Sequence, residues 1–421
     1  MRIMKRFGPG LQAGGLALLI GLSACAGPAK RVVVVPPPPV APPVVVAEPP
    51  RVTVQQNHVA LLVPLTGANA AVGQSIANAA NMALLDANER RINLRIYDTA
   101  ASGASAAAVK AVGDGARLFL GPLLAADVRA VQGVASANGV PVISFSNDAA
   151  LAGDGTYVMG FQPGQSIARV VGYARSRGIQ RFAALIPDGL YGQRAANAFL
   201  RAVEANGGKV VSVVNYARTP ARLLAAARAV TNYDKRLAVA AKAPALRPDG
   251  SVAPVSTRLP PVGFQGLLIA DSGTVASAFG PALTQYGAGP GTVLILGTEL
   301  WNNEPALRNA RGLQGAVFAS VPDDRFVQLG SRYRAKFGGA PSRLASFGYD
   351  AVLLVNSLAD RWSLGQPFPR GLLANADGFV GVDGVFRFTP SGIADRGLEV
   401  QRIGGGNIVT VAPAPRSLRA N

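Results

Sequence analysis

One cysteine and one histidine in 421 residues is little reactive chemistry, and each scarcity excludes a class of function. A lone cysteine, Cys25, leaves no internal disulfide to form and no redox pair. The lone histidine, His58, lies just ahead of the first apolar run, so a Ser-His-Asp or Cys-His arrangement has one badly placed candidate for its base. No Gly-x-Ser-x-Gly elbow, Ser-x-x-Lys pair, Walker loop or His/Cys/carboxylate cluster with metal spacing occurs. The paired carboxylates Asp323-Asp324 precede a helical stripe and read as an N-terminal cap. The expectation is a protein that is not an enzyme and has no cofactor and no metal. Acidic residues are also scarce, 23 against 41 basic ones, a formal charge of +18. That balance favours anionic neighbours such as cell-wall polymer or lipid head groups. The excess is mostly arginine and spread evenly, which equally fits codon bias. No basic motif interleaved with aromatics appears, so no nucleic-acid partner is expected.

Long apolar runs are missing as well. The one near the N-terminus, through Leu16, Leu18, Leu19 and Ile20, falls short of the ~20 residues that span a bilayer. It follows Arg2, Lys5 and Arg6 and ends in small residues, the layout of a secretory signal peptide over residues 1–24. Leu22-Ser23-Ala24-Cys25 resembles the bacterial lipobox, which implies lipidation of Cys25 and a membrane anchor, since two or more acyl chains hold a protein stably at a bilayer. Cleavage there leaves 38 basic against 23 acidic residues, a charge of +15. Residues 25–56 then alternate prolines (Pro36 to Pro39, Pro42, Pro43, Pro49, Pro50) with valines and cannot build a core. They read as a semi-rigid tether reaching on the order of 90 Å.

From His58 the pattern changes to short apolar runs separated by helix-period segments, the mark of repeated βα units around a parallel sheet. The runs are Val59 to Val63, Asn93 to Tyr97, Leu118 to Leu120, Val140 to Phe145, Phe182 to Ile186, Val210 to Val214, Leu267 to Ala270 and Val293 to Leu296. Such near-continuous runs predict strands covered by helices on both faces. Helical stripes follow at Ile167, Val170, Val171 and Ala174, at Ala195, Ala198, Phe199 and Ala202, and at Phe326, Leu329, Tyr333 and Phe337. Gly178, Gly207 and Gly287 stand at helix C-caps. A body of this length exceeds one core, so two domains are expected. Residues 233–264, rich in proline, read as a surface insertion. The tail, Phe379 to Phe388 and Leu398 to Ile403, reads as antiparallel strands.

The order Leu61-Leu62-Val63-Pro64-Leu65-Thr66-Gly67, Phe119-Leu120-Gly121-Pro122-Leu123, Val140-Pro141-Val142-Ile143-Ser144, Tyr191-Gly192, Ala270-Asp271-Ser272, Leu296-Gly297-Thr298-Glu299 and Phe347-Gly348-Tyr349-Asp350 resembles the Leu/Ile/Val-type periplasmic binding superfamily. Within it, the chain resembles most the penicillin-binding-protein activator lipoproteins, the LppC or LpoA kind. The resemblance implies an α/β, two-lobed type I periplasmic-binding-protein fold, with parallel sheets flanked by helices and three interlobe crossovers. It implies lobe 1 at 58–162 and 323–376, and lobe 2 at 163–322 and 377–410. It also implies a ligand cleft at strand carboxyl ends, with matching positions Thr66, Leu123, Ser146, Asn147, Tyr191, Ser272 and Glu299. Asn147 or Asp148 equally reads as a helix cap; Tyr191 equally reads as a packing residue, and Glu299 as a cap or as the partner of a ligand ammonium.

Leu123-Leu124 departs from the amino-acid binders, which carry small polar residues there, and two leucines offer a ligand carboxylate only backbone donors. The leading expectation is a lipid-anchored regulator of peptidoglycan synthesis, facing the periplasm from the outer membrane and binding a penicillin-binding protein or another wall factor. The alternative is a lipid-anchored receptor that delivers an amino acid or similar small polar ligand to an ABC importer.

Overall fold

The structure is a computed structural model that describes residues 56–88, 91–241 and 259–418; the signal peptide, Cys25 and the tether lie outside the described residues. The first lobe opens with strand β1 (Asn57–Val63), helix α1 (Ala70–Ala87), β2 (Ile92–Asp98), α2 (Ala104–Gly113), β3 (Leu118–Leu120), α3 (Ala125–Ala137), β4 (Val142–Ser144) and β5 (Thr156–Val158). Its five strands pair in the order β2-β1-β3-β4-β5, all parallel. Every residue of β1 is buried, as a strand with helices on both faces must be.

The chain crosses at 159–162 into the second lobe: α4 (Pro163–Ser176), β6 (Arg181–Pro187), α5 (Leu190–Ala205), β7 (Lys209–Tyr216), α6 (Pro220–Val230), α7 (Tyr233–Ala240), β8 (Gly266–Ile269), α8 (Gly273–Gln285), β9 (Leu294–Gly297) and β10 (Val317–Ser320). It returns at 321–323 to add α9 (Asp324–Phe337), α10 (Ala345–Leu358) and a small antiparallel sheet, β11 (Phe379–Gly381), β12 (Gly384–Phe388) and β13 (Ala394–Arg396). A third crossing at 397–398 leads to β14 (Glu399–Gly404) and β15 (Asn407–Ala412). These close the second sheet, β15-β14-β10-β9-β8-β6-β7, with β14 antiparallel to β10. The two lobes, their parallel sheets and the three crossovers are those the resemblance implies. Among the described residues no helix is long and apolar enough to cross a membrane.

Two boundaries differ from the sequence reading. The third crossover was expected near 377, yet Phe379, Val382, Phe386 and Phe388 pack with β1, α1 and α10 in the core of the first lobe. Their alternation is real; the core they join depends on contacts distant in sequence. The segment 233–264, expected on the surface, is tied in at both ends. Arg236 of α7 is buried and donates to the carbonyls of Pro260 and Tyr286, both at 2.7 Å, while Val262 and Phe264 enter the second core.

Helices α1 and α10 pack closely because small residues face each other. A Cβ on Gly348 would stand 2.3 Å from the Ile76 carbonyl oxygen, inside backbone that has nowhere to go. Gly348→Ala is therefore expected to cost about 2 kcal/mol through overpacking. The check is a urea midpoint shifted down at unchanged slope; an unmoved midpoint would show that the two helices part freely.

Candidate functional site

Loops at the carboxyl ends of the strands of both lobes enclose a pocket of about 450 Å³. The first lobe supplies Asn69 and Val72 at the start of α1, Leu123 and Leu124 after β3, Phe145 and Asn147 after β4, and Arg343, Leu344 and Phe347 around the start of α10. Glu299, Leu300 and Asn302 come from the segment after β9, and Phe161 from the first crossover. Eight of these thirteen side chains are apolar, and the phenylalanines form one wall: Phe347 stacks on Phe145 with centroids 6.0 Å apart and meets Phe161 at 4.6 Å. Such a wall favours the apolar body of a ligand over bulk water.

Two charged side chains interrupt it. Glu299 is held from behind: Ser166 Oγ lies 2.5 Å from its Oε2, and the Tyr191 hydroxyl 3.0 Å from its Oε1. Burial pushes the Glu299 carboxyl above its ordinary range, against the opposing pull of the Ser166 and Tyr191 hydroxyls. Burial and then the Glu299 charge likewise push the Tyr191 phenol up. The β6–α5 turn that aims Tyr191 needs glycine at 192, where a Cβ would lie 1.7 Å from the Pro187 carbonyl oxygen. On the opposite side, Arg343 Nη1 stands 2.8 Å from Asp383 and donates to Ser346 Oγ at 3.0 Å, while its Nη2 lies 3.7 Å from Asp323. Its Nε and Nη2 are buried without a hydrogen-bond partner.

A second ion cluster joins the lobes beside the pocket. Asp148, after β4, is buried and takes Arg129 of α3 at 2.8 Å and Arg194 of α5, in the other lobe, at 2.6 Å. Burial pushes its carboxyl up, but the hydrogen bond and charge of Arg194, with Arg129, hold it below the ordinary range.

Of the residues expected in the cleft, Leu123, Asn147 and Glu299 line the pocket, and Tyr191 stands directly behind Glu299. The other three do not line it. Thr66 is exposed and donates to Asp98 at 2.9 Å, joining the loops after β1 and β2. Ser146 is buried, its Oγ accepting from the Asp148 backbone N–H at 3.1 Å. Ser272 caps α8 by accepting from the Val275 N–H. The cap expected of Asn147 or Asp148 belongs to Asp148, which accepts from the Ala150 N–H. Asp323 stands at the N-cap position of α9 but makes no side-chain cap bond; it faces Arg343 instead. His58 is packed away, its Nδ1 2.8 Å from the Asp114 carbonyl and its ring beside Tyr97. Phe161 and Arg343 were missed by sequence reasoning. Both lie outside any periodic segment; the signal available was position, next to a crossover and a helix start.

A family model described as periplasmic binding protein matches residues 56–406. An uncharacterised protein of Rickettsia prowazekii (strain Madrid E) is 28% identical over 175 residues, 41% of this chain and 47% of that one, so the match spans about half of the curated relative. Among solved structures, a putative branched-chain amino acid ABC transporter protein from Rhodospirillum rubrum superposes with a TM-score of 0.68 at 20% identity, covering 85% of this chain and all of that one. A substrate-binding protein from Desulfitobacterium hafniense in complex with Leu gives 0.60 at 19%, with 85% and 100% covered. A solute-binding protein of R. palustris in complex with benzoate gives 0.58 at 16%, with 87% and 98% covered.

Proposed function

Because the chain belongs to the periplasmic binding protein family, we propose that it is a non-enzymatic envelope receptor whose lobes close on one small, largely apolar solute and deliver it to an ABC importer. The observation that carries this is the pocket itself, about 450 Å³ with side chains from both lobes, within the ~300–1,000 Å³ usual for ligand sites. Solved structures of the same fold hold leucine in one case and benzoate in another, solutes of the size this pocket admits. The sequence reading ranks a wall-synthase regulator first and a receptor for polar metabolites second. The pocket supports the receptor, and its eight apolar lining residues favour a less polar solute than expected. Export, a lipid on Cys25 and a place at the outer membrane belong to the same proposal. A second reading, binding of a penicillin-binding protein or other wall factor, draws on Leu124, whose side chain is 37% exposed at the pocket rim.

Thermal denaturation against a panel of amino acids, aliphatic and aromatic acids and sugars tests the proposal. A solute bound at 100 times its Kd adds about 2.7 kcal/mol, a clear rise in midpoint. Silence across the panel, together with capture of a wall synthase from envelope extract, would move the balance to the second reading.

A further inference from the structure

The basic excess, even along the sequence, is uneven in space, and we propose that the far end of the second lobe is a docking surface for an anionic phospholipid bilayer, whether or not the pocket takes a solute. Between the crossovers, the described part of the first lobe holds 14 basic and 12 acidic residues, and that of the second holds 15 and 7. The seven acidic residues are themselves segregated. Asp188, Asp271 and Glu299 follow the carboxyl ends of β6, β8 and β9. Glu304 accepts from the Gly273 N–H at 3.0 Å, at the start of α8, and Glu399 pairs with Ser320, the last residue of β10. All five stand at the pocket end of the sheet. Among the described residues of this lobe, only Glu204 and Asp234 are left toward the amino ends of the strands, and Asp234 is taken by Arg228.

That amino end carries the surplus. Arg175 and Arg177 close α4, Arg181 and Lys209 begin the parallel neighbours β6 and β7 and stand side by side in register, and Arg402 lies opposite Val317, the first residue of β10. Arg177, Arg181, Lys209 and Arg402 are exposed, and no ion pair among the described residues includes any of them. Arg175 donates to the backbone carbonyls of Ile179 and Asn206, at 2.9 and 2.7 Å, which fixes its place and leaves its charge uncompensated. The carboxyl end of a helix attracts cations, which accounts for Arg175 and Arg177 without any partner. It does not account for Arg181, Lys209 and Arg402, which belong to strands. The five cations come from four elements spread along one end of a sheet, an arrangement that suits a plane of phosphates rather than a single thread of them. Each basic side chain near such a surface adds about fivefold to binding, and the attraction fades within a Debye length.

Sedimentation with lipid vesicles tests this on the full chain carrying Cys25→Ser, which removes the site of any acyl anchor. Vesicles of equal parts phosphatidylglycerol and phosphatidylcholine are expected to carry the protein down in dilute salt and to release it at ~1 M salt, where the Debye length shrinks to about 3 Å. Phosphatidylcholine alone is expected to leave it in solution. Arg177→Gln, Arg181→Gln and Lys209→Gln together are expected to weaken the partitioning about a hundredfold. Arg334→Gln, Lys336→Gln and Arg361→Gln, the same change of charge on exposed residues of the first lobe, are expected to hold it within about threefold. Equal losses from the two triple variants would overturn the assignment to the second lobe's end and reduce the binding to net charge. Binding to phosphatidylcholine alone, or none to the mixed vesicles, would remove the anionic bilayer as partner. Co-sedimentation with isolated cell wall in preference to vesicles would do the same and put a wall polymer in its place.

Discussion

Replacing Arg396 by methionine is expected to destabilise the protein by about 3–5 kcal/mol, the usual cost of removing one partner from a buried ionic network. Arg396 ends β13 with 5% of its surface exposed and lies over Phe161, Phe347 and Phe386, 5.1 to 5.7 Å from their centres. Its Nη2 donates to the Met159 carbonyl at 2.7 Å, which ties the first crossover to the third. Two buried carboxylates depend on its charge. Asp383 is fully buried, held by Ser346 Oγ at 2.7 Å and by Arg343; Asp350 accepts from the backbone N–H groups of Val382 at 2.6 Å and Asp383 at 3.1 Å. Burial, and then the neighbouring Asp383, push the Asp350 carboxyl well above its ordinary range, with Arg396 opposing the shift. A raised acid favours folding while protonated, so its contribution is present at low pH and is lost as pH climbs from the usual carboxylate range through the folded value. Without Arg396 the shift grows, and the decline in stability between ~pH 5 and ~pH 8 steepens. Urea unfolding at those two pH values checks both parts. Asp350→Asn in the methionine background should flatten the decline; a midpoint within error of the unsubstituted protein would show that Arg396 is dispensable.

The features legible in the sequence are those with a period. Ile167, Val170, Val171 and Ala174 are all fully buried, as their spacing requires. Phe337, last of the α9 stripe, is 39% exposed at the helix's final residue, just before the Gly338 cap. Strands β5 and β10 went unseen: Thr156-Tyr157-Val158 and Val317-Phe318-Ala319-Ser320 are short and carry a polar residue at one end, so neither stands out as an apolar run. In the site, Glu299, Leu123 and Asn147 were legible because strand ends in open α/β sheets point into a cleft. Thr66, Ser146 and Ser272 sit at equivalent strand ends, yet their hydroxyls serve nearby backbone and carboxylate groups, a choice made by loop geometry that spacing does not encode. Arg343 and Arg396 were illegible for a different reason. Each draws its meaning from aspartates or carbonyls distant in the chain: Arg396 reaches across 237 residues to Met159.

Arg194 and Arg129 grip one carboxylate, and they are expected to behave differently when removed. Arg129 belongs to the same lobe as Asp148, so its contact persists whether the lobes are apart or together; Arg194 belongs to the other lobe and reaches Asp148 at 2.6 Å only when they meet. A hydrogen bond to a charged group contributes ~1.5–3 kcal/mol. Partial exposure of Arg194 screens it, which places the effective value near ~1.4 kcal/mol, a tenfold change in the open-to-closed ratio. A solute that binds the closed form loses affinity in proportion to the closed fraction. Arg194→Ala should therefore weaken binding of a solute found in the thermal panel about tenfold and enlarge the radius of gyration of the ligand-free protein in small-angle scattering. Arg129→Ala should change neither, because Arg194 still neutralises the buried Asp148. Equal effects from the two substitutions, or a radius unmoved by Arg194→Ala, would mean that the ion pair follows closure without favouring it, and that the pocket's own contacts hold the lobes together.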